Sequence, residues 1–425
     1  MPRVLLLATT TGYQTKAFGD AASHLGIEIV YATDRCHQLD DPWRDAAVPI
    51  RFHDEPGSVD AILESSRERP LDGVLALGDR PAVIAASVLR KLGLPGNPPE
   101  AVASARNKLI ARERFRAAGL LTPWFTRVSM TGEAIGTPPA AFPCVVKPLG
   151  LSGSRGVMRA NTDQELAGAL VRLRALLHAP DILAERSDVH ESALVEEFIP
   201  GREFALEGVL EHGSLRVFAL FDKPDPLDGP FFEETIYVTP SRGGADVEQA
   251  IVDAITTAAR ALGLRHGPIH AECRVNDRGV FVLEVAPRPI GGLCARVLRF
   301  HERDGAPFGL EEALLRHALG ESTAAWTRER NASGVMMIPI PKRGVYRRVD
   351  GINQARVVDG IDEVRITAKE DQVLVPLPEG ASYLGFIFAR AGAPELVEDA
   401  LRRAHGRLRF VIDPEMPMLQ SQHGR

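Results

Sequence analysis

The stretch VVKPLGLSGSRGV, residues 145–157, decides how this chain is interpreted. An apolar run ends in Lys147, and a loop containing Gly150, Gly153 and Gly156 leads into the next apolar run. Glycines let a backbone turn its N–H groups toward an anion, and a lysine at the base of the loop supplies a positive charge. The spacing differs from GxxxxGK[ST], so the loop is not a Walker P-loop. A phosphate-binding loop and an ordinary glycine-rich hairpin both fit this stretch taken alone.

The composition predicts a globular protein of two or three domains. The chain has 425 residues with 45% hydrophobic and 25% charged side chains, and an average domain has about 150 residues. The net charge of −6 gives no general electrostatic reason to bind nucleic acid. No apolar run approaches the about 18 residues of a membrane span, so no membrane partner is expected.

The four cysteines are scattered and form no CxxC pair: Cys36, Cys144, Cys273 and Cys294. This spacing argues against a disulfide framework and against a structural zinc site. The last three lie in apolar runs and are expected to be packed rather than reactive. A reducing cytoplasm fits this cysteine usage best.

The first 100 residues predict a parallel α/β domain. The runs VLLLA (residues 4–8), EIVYA (28–32) and GVLAL (73–77) are predicted as strands, with helical segments between them. No GxGxxG motif follows the first strand, so a dinucleotide site is not predicted. A proline-rich joint, GLPGNPPE (93–100), closes this region.

Two more domains are predicted beyond this joint. Residues 101–330 begin with a charged helical stretch (101–120) that ends near Gly119, and they continue with strands and long helices. Residues 331–425 have short strand-like runs and one helix near 394–404, which is typical of a small α+β domain.

Two glutamates are predicted to lie on neighbouring strands. Glu272 lies in HAECRV and Glu284 in FVLEVAPRP, and the turn NDRG between them predicts a β-hairpin. Both carboxylates can then point to one face, where oxygen ligands suit Mg²⁺. Two exposed glutamates on an amphipathic hairpin are the alternative. However, the apolar run around Glu284 indicates burial, and a buried carboxylate needs a cation or hydrogen-bond donors.

Two further stretches have residue types that bind polar ligands. Arg288 lies between two prolines and before the flexible pair 291–292, so its guanidinium can fork onto a carboxylate or phosphate. In LVEEFIPGREF, a strand with Glu196 and Glu197 is predicted to turn at the Pro-Gly pair and to return with Glu203. A surface arginine and solvated glutamates are the alternatives.

Together these stretches, in this order, resemble the ATP-grasp superfamily from about residue 107 to residue 293. They are NKLIARERFRAAGLLTPWF, FPCVVKPLGLSGSRGV, LVEEFIPGREF, PIHAECRV and LEVAPRPIGG. The N-terminal region, with GVLALGD and GLPGN, is similar to the domain that usually precedes an ATP-grasp core. The tail stretch GVMMIPIPKRG is similar to the C-terminal region of L-amino-acid ligases, the ATP-grasp enzymes that join two amino acids.

The resemblance implies an ATP-dependent carboxylate–amine ligase that works through an acyl phosphate and uses ATP with Mg²⁺, for which Mn²⁺ can substitute. It implies that the phosphates of ATP contact Lys108, Lys147, Ser152, Gly153, Ser154 and Gly156. It places adenine and ribose at Glu196, Glu197, Phe198, Ile199 and Glu203, and Mg²⁺ at Glu272 and Glu284. Catalysis would rest on Arg288 and Lys147.

The substrates are expected to be small molecules, an amino acid or other carboxylate and an amine. The polar stretch DKPDPLDGPFFEE (222–234) follows a predicted strand, and His270 lies two residues before Glu272 on the same strand face. The expected substrate contacts are Lys223, Glu233, Glu234, His270, Arg288, Gly291 and Gly292. A histidine satisfied within the protein is the alternative at His270.

One residue departs from the family pattern. Many ATP-grasp proteins have asparagine two residues after the second metal-binding glutamate, where this chain has Ala286. One oxygen ligand is therefore missing, which leaves the number of Mg²⁺ ions open. An ATP-grasp ligase of the purine-biosynthesis or bicarbonate-using type, and a nucleotide-binding module without catalysis, remain the alternatives. A homodimer is compatible with the sequence, which does not decide the oligomeric state.

Overall fold

The computed structural model describes residues 1–9, 13–34, 47–132, 136–303 and 305–415. Its strands are β1 Arg3–Ala8, β2 Glu28–Thr33, β3 Val48–Pro49, β4 Gly73–Leu77, β5 Phe125–Ser129, β6 Cys144–Pro148, β7 Met158–Ala160, β8 Ser192–Glu197, β9 Arg202–Glu211, β10 Ser214–Lys223, β11 Ile236–Thr239, β12 Gly267–Asn276, β13 Gly279–Ala286, β14 Arg299–His301, β15 Phe308–Gly309, β16 Thr327–Arg328, β17 Ala332–Ile338, β18 Gly344–Asp350, β19 Ile361–Ile366, β20 Val373–Leu374, β21 Gly385–Ala391 and β22 Arg409–Asp413.

The helices are α1 Tyr13–Leu25, α2 Glu55–Ser65, α3 Asp79–Leu92, α4 Pro99–Arg106, α5 Lys108–Ala117, α6 Asp163–Leu177, α7 Pro180–Leu183, α8 Ala245–Leu262, α9 Leu310–Ala318, α10 Ile352–Arg356 and α11 Pro394–His405. In the described ranges, no helix is both long and apolar enough to cross a bilayer.

The predicted N-terminal α/β fold is confirmed. Strands β3, β2, β1 and β4 form a parallel sheet in that order. Strand β4 is buried along its whole length, as expected for a parallel strand covered on both faces. Because the carboxyl end of β4 leads directly into α3, the first residue of that helix, Asp79, lies at the edge of the sheet where ligands usually bind.

Two antiparallel sheets enclose the centre of the molecule. The smaller sheet has the strand order β5-β8-β6-β7, and α6 packs on it; we call this unit the lid sheet. The larger sheet, which we call the central sheet, has the order β13-β12-β9-β10-β11-β17-β21-β19. The predicted hairpin of β12 and β13 is confirmed, and its register pairs Glu272 with Glu284 directly across the two strands.

The connection from β8 to β9 differs from the prediction. The two strands are not a hairpin, because β8 pairs with β5 and β6 in the lid sheet while β9 pairs with β10 and β12 in the central sheet. The chain crosses between the sheets at Gly201, whose φ of +124° suits glycine and not a residue with a side chain. The stretch that was expected to return on itself therefore joins the two layers.

The C-terminal region also shares the central sheet. Its strands β17, β21 and β19 continue that sheet beyond β11, and α11 packs on β21 and β17. The small sheet β20-β18-β22 lies outside this continuation. The α+β character is confirmed, but the strand alternation of the tail gave no sign that three of its strands would extend a sheet begun in the preceding region.

The helical stretch predicted over residues 101–120 is divided at Asn107. This residue has an extended backbone, and its side-chain oxygen accepts hydrogen bonds from the N–H groups of Leu109 and Ile110. Asparagine is a strong N-cap for this reason. The break places Lys108 at the first position of α5, where its N–H donates to the carbonyl of Leu149 at 3.1 Å.

The described cysteines are packed as expected. Cys144, Cys273 and Cys294 are buried and form no disulfide, and burial raises the pKa of each thiol. Cys36 lies outside the described residues.

The Gly201 crossing gives a stability prediction. A Cβ at this position would lie 2.3 Å from the carbonyl oxygen of Val275, in addition to the unfavourable φ. We expect Gly201→Ala to lower the free energy of unfolding by about 2 kcal/mol or more, as measured by denaturant titration.

The matched control is Gly168→Ala, in the exposed middle of α6 with no atom near the added Cβ. It should raise stability by about 0.5–1 kcal/mol, because alanine is the better helix former. Equal stability of Gly201→Ala and the wild type would contradict the interpretation of the crossing.

Candidate active site

A cavity of about 420 Å³ lies between the lid sheet, the central sheet and the edge of the N-terminal sheet. This size suits a small-molecule site. Most of the predicted site residues line it: Lys108, Lys147, Ser152, Gly153, Ser154, Glu196, Glu197, Phe198, Ile199, Glu203, Glu234, His270, Glu272, Glu284, Arg288, Gly291 and Gly292. Residues more than 180 positions apart in the chain thus meet in one place.

Three predicted residues do not line this cavity, and each contacts other groups of the protein. The N–H of Gly156 donates to the carbonyl of Pro378 at 2.8 Å, so it docks the loop on the C-terminal region. Glu233 accepts from the backbone of Ile340, and burial raises the pKa of its carboxyl. Lys223 lies beneath the cavity wall, where three glutamates surround its ammonium group.

Arg112, which was not predicted, links the two sheets. It lies on the buried face of α5, and its Nε and Nη2 donate to the two carboxylate oxygens of Glu196 at 2.7 and 3.2 Å. Its Nη1 donates to the carbonyls of Val282 and Leu283 on β13. Glu196 belongs to the lid sheet and β13 to the central sheet. The Arg112 side chain therefore fixes the distance between the two sheets. An arginine on the otherwise apolar face of a predicted helix was the available signal.

Glu196 also contacts Lys147, which is predicted to bind phosphate. The Nζ atom of Lys147 lies 2.5 Å from Oε1 of Glu196. Burial by itself would raise the pKa of Glu196, but Arg112 and Lys147 lower it to about 2. Both oxygens of this carboxylate therefore contact cations, and its contact with adenine stays a prediction.

In the described structure, the backbone of residues 197–199 has one unused N–H donor. The N–H groups of Glu197 and Phe198 donate to the carbonyls of Trp124 and Pro143, and the carbonyl of Ile199 accepts from Arg274 at 2.7 Å. Among the described residues, the N–H of Ile199 has no acceptor. It remains available to a ligand in the cavity that Ile199 lines.

A cluster of three glutamates lies at the other end of the cavity. Nζ of Lys223 lies 2.6, 3.0 and 2.8 Å from carboxylate oxygens of Glu203, Glu234 and Glu272. These oxygens lie within 4.8 Å of one another, a spacing that a metal ion could also use. The second oxygen of Glu203 accepts from Arg274 at 2.8 Å. The carboxylate predicted to bind ribose is thus paired with two cations.

Glu234 and Glu272 of this cluster differ in pKa. Burial, together with the charges of Glu272 and Glu203, raises the pKa of Glu234 to about 7 against the effect of Lys223. Burial acts in the same direction on Glu272, but Lys223 and His270 hold its pKa well below the usual range. The hydroxyl of Tyr237 donates toward both carboxylates, at 3.0 and 3.1 Å. With a pKa of about 7, Glu234 can exchange a proton near neutral pH.

A second group of charges surrounds Glu284. Its carboxylate lies 3.5 Å from Nζ of Lys108 and 3.7 Å from Nη2 of Arg288. Arg288 is held in turn by Asp79, whose Oδ1 accepts from Nε at 2.7 Å. Asp79 comes from α3 of the N-terminal domain and was not predicted as a site residue. Its only sequence signal was its position directly after a buried strand.

The carboxylates of Glu272 and Glu284 fit a magnesium site in ligand type. They lie on directly paired strand positions and line the same cavity. Carboxylate oxygens are the ligands that Mg²⁺ prefers. Ala286 contributes no side-chain oxygen, so water or substrate would complete the shell.

His270 is paired within the protein. Its Nδ1 lies 3.1 Å from Glu207, a fully buried residue that also accepts from the N–H of Ile290. Burial by itself would lower the pKa of His270, but its contacts with Glu207 and Glu272 raise it to about 9. Glu207 was missed by sequence reasoning, although an acid inside the apolar run of β9 was a signal for a buried, paired carboxylate.

The His270 contact predicts a pH dependence of stability. The pKa rises from 6.5 in the unfolded chain to about 9 in the folded protein. The folded state therefore keeps a proton that the unfolded state loses, and the stabilisation decreases as the pH rises from 6.5 to about 9. In urea titrations over this range, His270→Gln should lack the loss that the wild type shows.

The control for this measurement is His178→Gln, at an exposed position after α6. If wild type and His270→Gln have parallel stability profiles across this range, the assignment of the buried charged histidine is wrong.

Comparisons with known proteins support the fold described above. Three family models match the chain: an ATP-grasp N-terminal domain over residues 19–96, an ATP-grasp domain over 140–297, and L-amino acid ligase C-terminal domain 2 over 336–413. The crystal structure of an L-amino acid ligase from Bacillus licheniformis superposes with a TM-score of 0.81 and 25% identity. The match covers 97% of this chain and 99% of that one.

Two curated relatives match shorter parts of this chain. Carnosine synthase 1 of Gallus gallus is 32% identical over 251 residues, which are 55% of this chain and 26% of that protein. An alanine–anticapsin ligase of Bacillus amyloliquefaciens is 25% identical over 261 residues, 56% of this chain and 53% of that protein. This chain therefore spans about half or less of these two relatives. The chain belongs to the ATP-grasp superfamily, among the ATP-dependent carboxylate–amine ligases that form carbon–nitrogen bonds, and it resembles the L-amino-acid ligases along nearly its whole length.

Proposed function

We propose that this chain joins two amino acids in an amide bond, with an acyl phosphate as intermediate and ADP and phosphate as products. The observation that supports this most is that three cations and two acids of the required types line one cavity: Lys108, Lys147, Arg288, Glu272 and Glu284. The likeness to L-amino-acid ligases in the C-terminal region supports amino acids as substrates.

The nucleotide would lie between the two sheets. Adenine packs against Phe198 and Ile199 and accepts from the free N–H of Ile199, while Glu203 faces the ribose. Lys108, Lys147 and the loop 152–154 hold the phosphates, where glycine and serine leave the backbone close to the ligand. Glu272 and Glu284 would hold Mg²⁺, or Mn²⁺ in its place, and such an ion would supply positive charge against the phosphates.

The first substrate would place its carboxylate at Arg288. A carboxylate does not react with an amine at neutral pH, because its oxygen is a poor leaving group. One carboxylate oxygen attacks the terminal phosphorus of ATP, the bond to the bridging oxygen breaks, and ADP leaves. Arg288 keeps its orientation because Asp79 pairs with Nε and Nη2 and the carbonyl of Pro289 accepts from Nη1. One N–H of Nη1 and one of Nη2 remain for the acid.

The amine completes the reaction. Its nitrogen attacks the acyl carbon, the carbon–oxygen bond to phosphate breaks, and the nitrogen gives up a proton. Glu234 is the best-placed acceptor, because it lines the cavity and has a pKa of about 7, close to neutral pH. His270, with a pKa of about 9, is already protonated and instead contributes positive charge. Gly291 leaves open space beside Arg288 for the acceptor.

The proposal is tested by a substrate screen. The protein is incubated with ATP, Mg²⁺ and pairs of amino acids, and ADP release and product mass are measured together. We expect at least one pair to give ADP and amide in equal amounts. Glu284→Gln should lower turnover by about 10²-fold or more, because it removes a metal-binding charge.

Glu113→Gln is the matched control, since Glu113 is an exposed glutamate on α5. It should keep wild-type turnover. If no pair yields an amide, the ligase proposal is wrong. ADP release that requires bicarbonate and no amino acid would instead indicate the bicarbonate-using type of ATP-grasp enzyme.

A further inference from the structure

The tip of the glycine-rich loop, residues 152–154, has backbone N–H groups without acceptors. These three residues line the candidate active site. Within the described ranges, none of their N–H groups donates a hydrogen bond. Successive free N–H groups in a turn can bind an anion. The position of the tip relative to the rest of the cavity therefore decides whether these donors can reach a phosphate.

Lys108 anchors the first half of the loop. Its N–H donates to the carbonyl of Leu149 at 3.1 Å, and its Nζ atom donates to the carbonyl of Leu151 at 2.7 Å. Both contacts lie before the tip. The second half of the loop depends on other contacts.

A loop of the C-terminal region anchors the second half. We call residues 376–383, which belong to the connection between β20 and β21, the C-terminal loop. The N–H of Gly156 donates to the carbonyl of Pro378 at 2.8 Å, and Nε of Arg155 donates to the carbonyl of Glu379 at 2.8 Å. Arg155 does not line the cavity. Its guanidinium therefore serves this anchor and not a ligand in the cavity.

The carboxylate of Glu379 adds a further contact with the lid. Nε and Nη2 of Arg172, on α6, donate to its two oxygens at 2.5 and 2.9 Å. Because Arg172 donates to this carboxylate, the pKa of Glu379 lies below its usual range, and the pair is charged at neutral pH. A forked pair of this kind fixes orientation as well as distance. The side chains are 45% and 37% exposed, so the pair has a modest effect and acts together with the two backbone contacts.

The C-terminal loop is itself supported by the central sheet, because it leads into β21. The N–H of Gly380 donates to the carbonyl of Pro376 at 2.9 Å, which closes a tight turn. The ring of Tyr383 lies beside that of Phe386 on β21, with centroids 6.1 Å apart. The C-terminal loop thus connects the glycine-rich loop to the sheet that carries the two proposed metal-binding glutamates.

We propose that Glu379 is a positioning residue that, together with the carbonyl of Pro378, holds the tip of the glycine-rich loop where its free N–H groups meet the phosphates of ATP. Glu379 does not line the cavity and acts only through Arg155 and Arg172. This inference rests on the proposed function, since it takes the phosphates to lie at residues 152–154. The C-terminal region then contributes to nucleotide binding without touching the nucleotide.

Charge-swapped variants test the role of Glu379. The dissociation constant of MgADP is measured by calorimetry with the full chain. Arg172→Glu and, separately, Glu379→Arg place like charges opposite each other, and each should weaken binding by about fivefold. The double variant Arg172→Glu, Glu379→Arg restores opposite charges and should return to within about twofold of the wild type. In turnover assays, the single variants should raise KM for ATP and leave kcat nearly unchanged, because bound ATP itself orders the loop.

Arg403→Glu is the matched control for these variants. Arg403 is an exposed arginine of the C-terminal region, and its partner Asp399 lies on the same helix, α11. This variant should keep the wild-type dissociation constant. Unchanged binding in both single variants, or a double variant as weak as the single ones, overturns the proposal.

Hydrogen exchange separates this result from failure of the proposed function. The amide exchange of residues 149–157 is measured by mass spectrometry in the ligand-free full chain. If the wild type binds no MgADP, the proposed nucleotide site is wrong, and the exchange of the loop decides whether the anchor exists. Faster exchange in both single variants, with recovery in the double variant, supports the anchor. Equal exchange in the wild type and both single variants overturns it.

Discussion

The arrangement of this protein depends on one buried guanidinium. Arg112 is 1% exposed and connects three elements: its own helix α5, the lid sheet through Glu196, and the central sheet through two carbonyls of β13. Its donors match acceptors on both sheets, which a buried charge requires. Removing one partner of such a pair typically costs about 3–5 kcal/mol. The width of the cavity between the sheets is therefore set by a contact that itself touches no substrate in the proposed mechanism.

The need of a buried charge for partners of opposite charge also explains the contacts within the cavity. Each cation proposed to bind phosphate or carboxylate is paired with an acid of the site: Lys147 with Glu196, Lys108 with Glu284, and Arg288 with Asp79. These charges lie in a partly dehydrated space and would be unfavourable without partners. ATP and Mg²⁺ would substitute for contacts that the protein now makes with itself. Lys108 and Glu284, at 3.5 Å, have the loosest of these contacts and are the natural pair to separate first.

The sequence predicted which residues line the cavity better than it predicted their contacts. Lys147, Glu284 and Arg288 were identified because each ends or interrupts an apolar or proline-stiffened run, which is a local signal. The partners Arg112, Glu207 and Asp79 were not, because each meets its contact 63 to 209 positions away in the chain. Local patterns also could not place β8 and β9 in different sheets, since strand alternation does not encode the identity of the neighbouring strand.

The central claim is that the triphosphate of ATP lies between the lid sheet and the hairpin of β12 and β13. The most direct measurement is a crystal structure of the full chain with Mg²⁺ and a non-hydrolysable ATP analogue. The account predicts phosphate oxygens within hydrogen-bond distance of Lys108 and Lys147, and a metal ion between Glu272 and Glu284. A nucleotide bound elsewhere, or a metal ion that contacts neither glutamate, would contradict it.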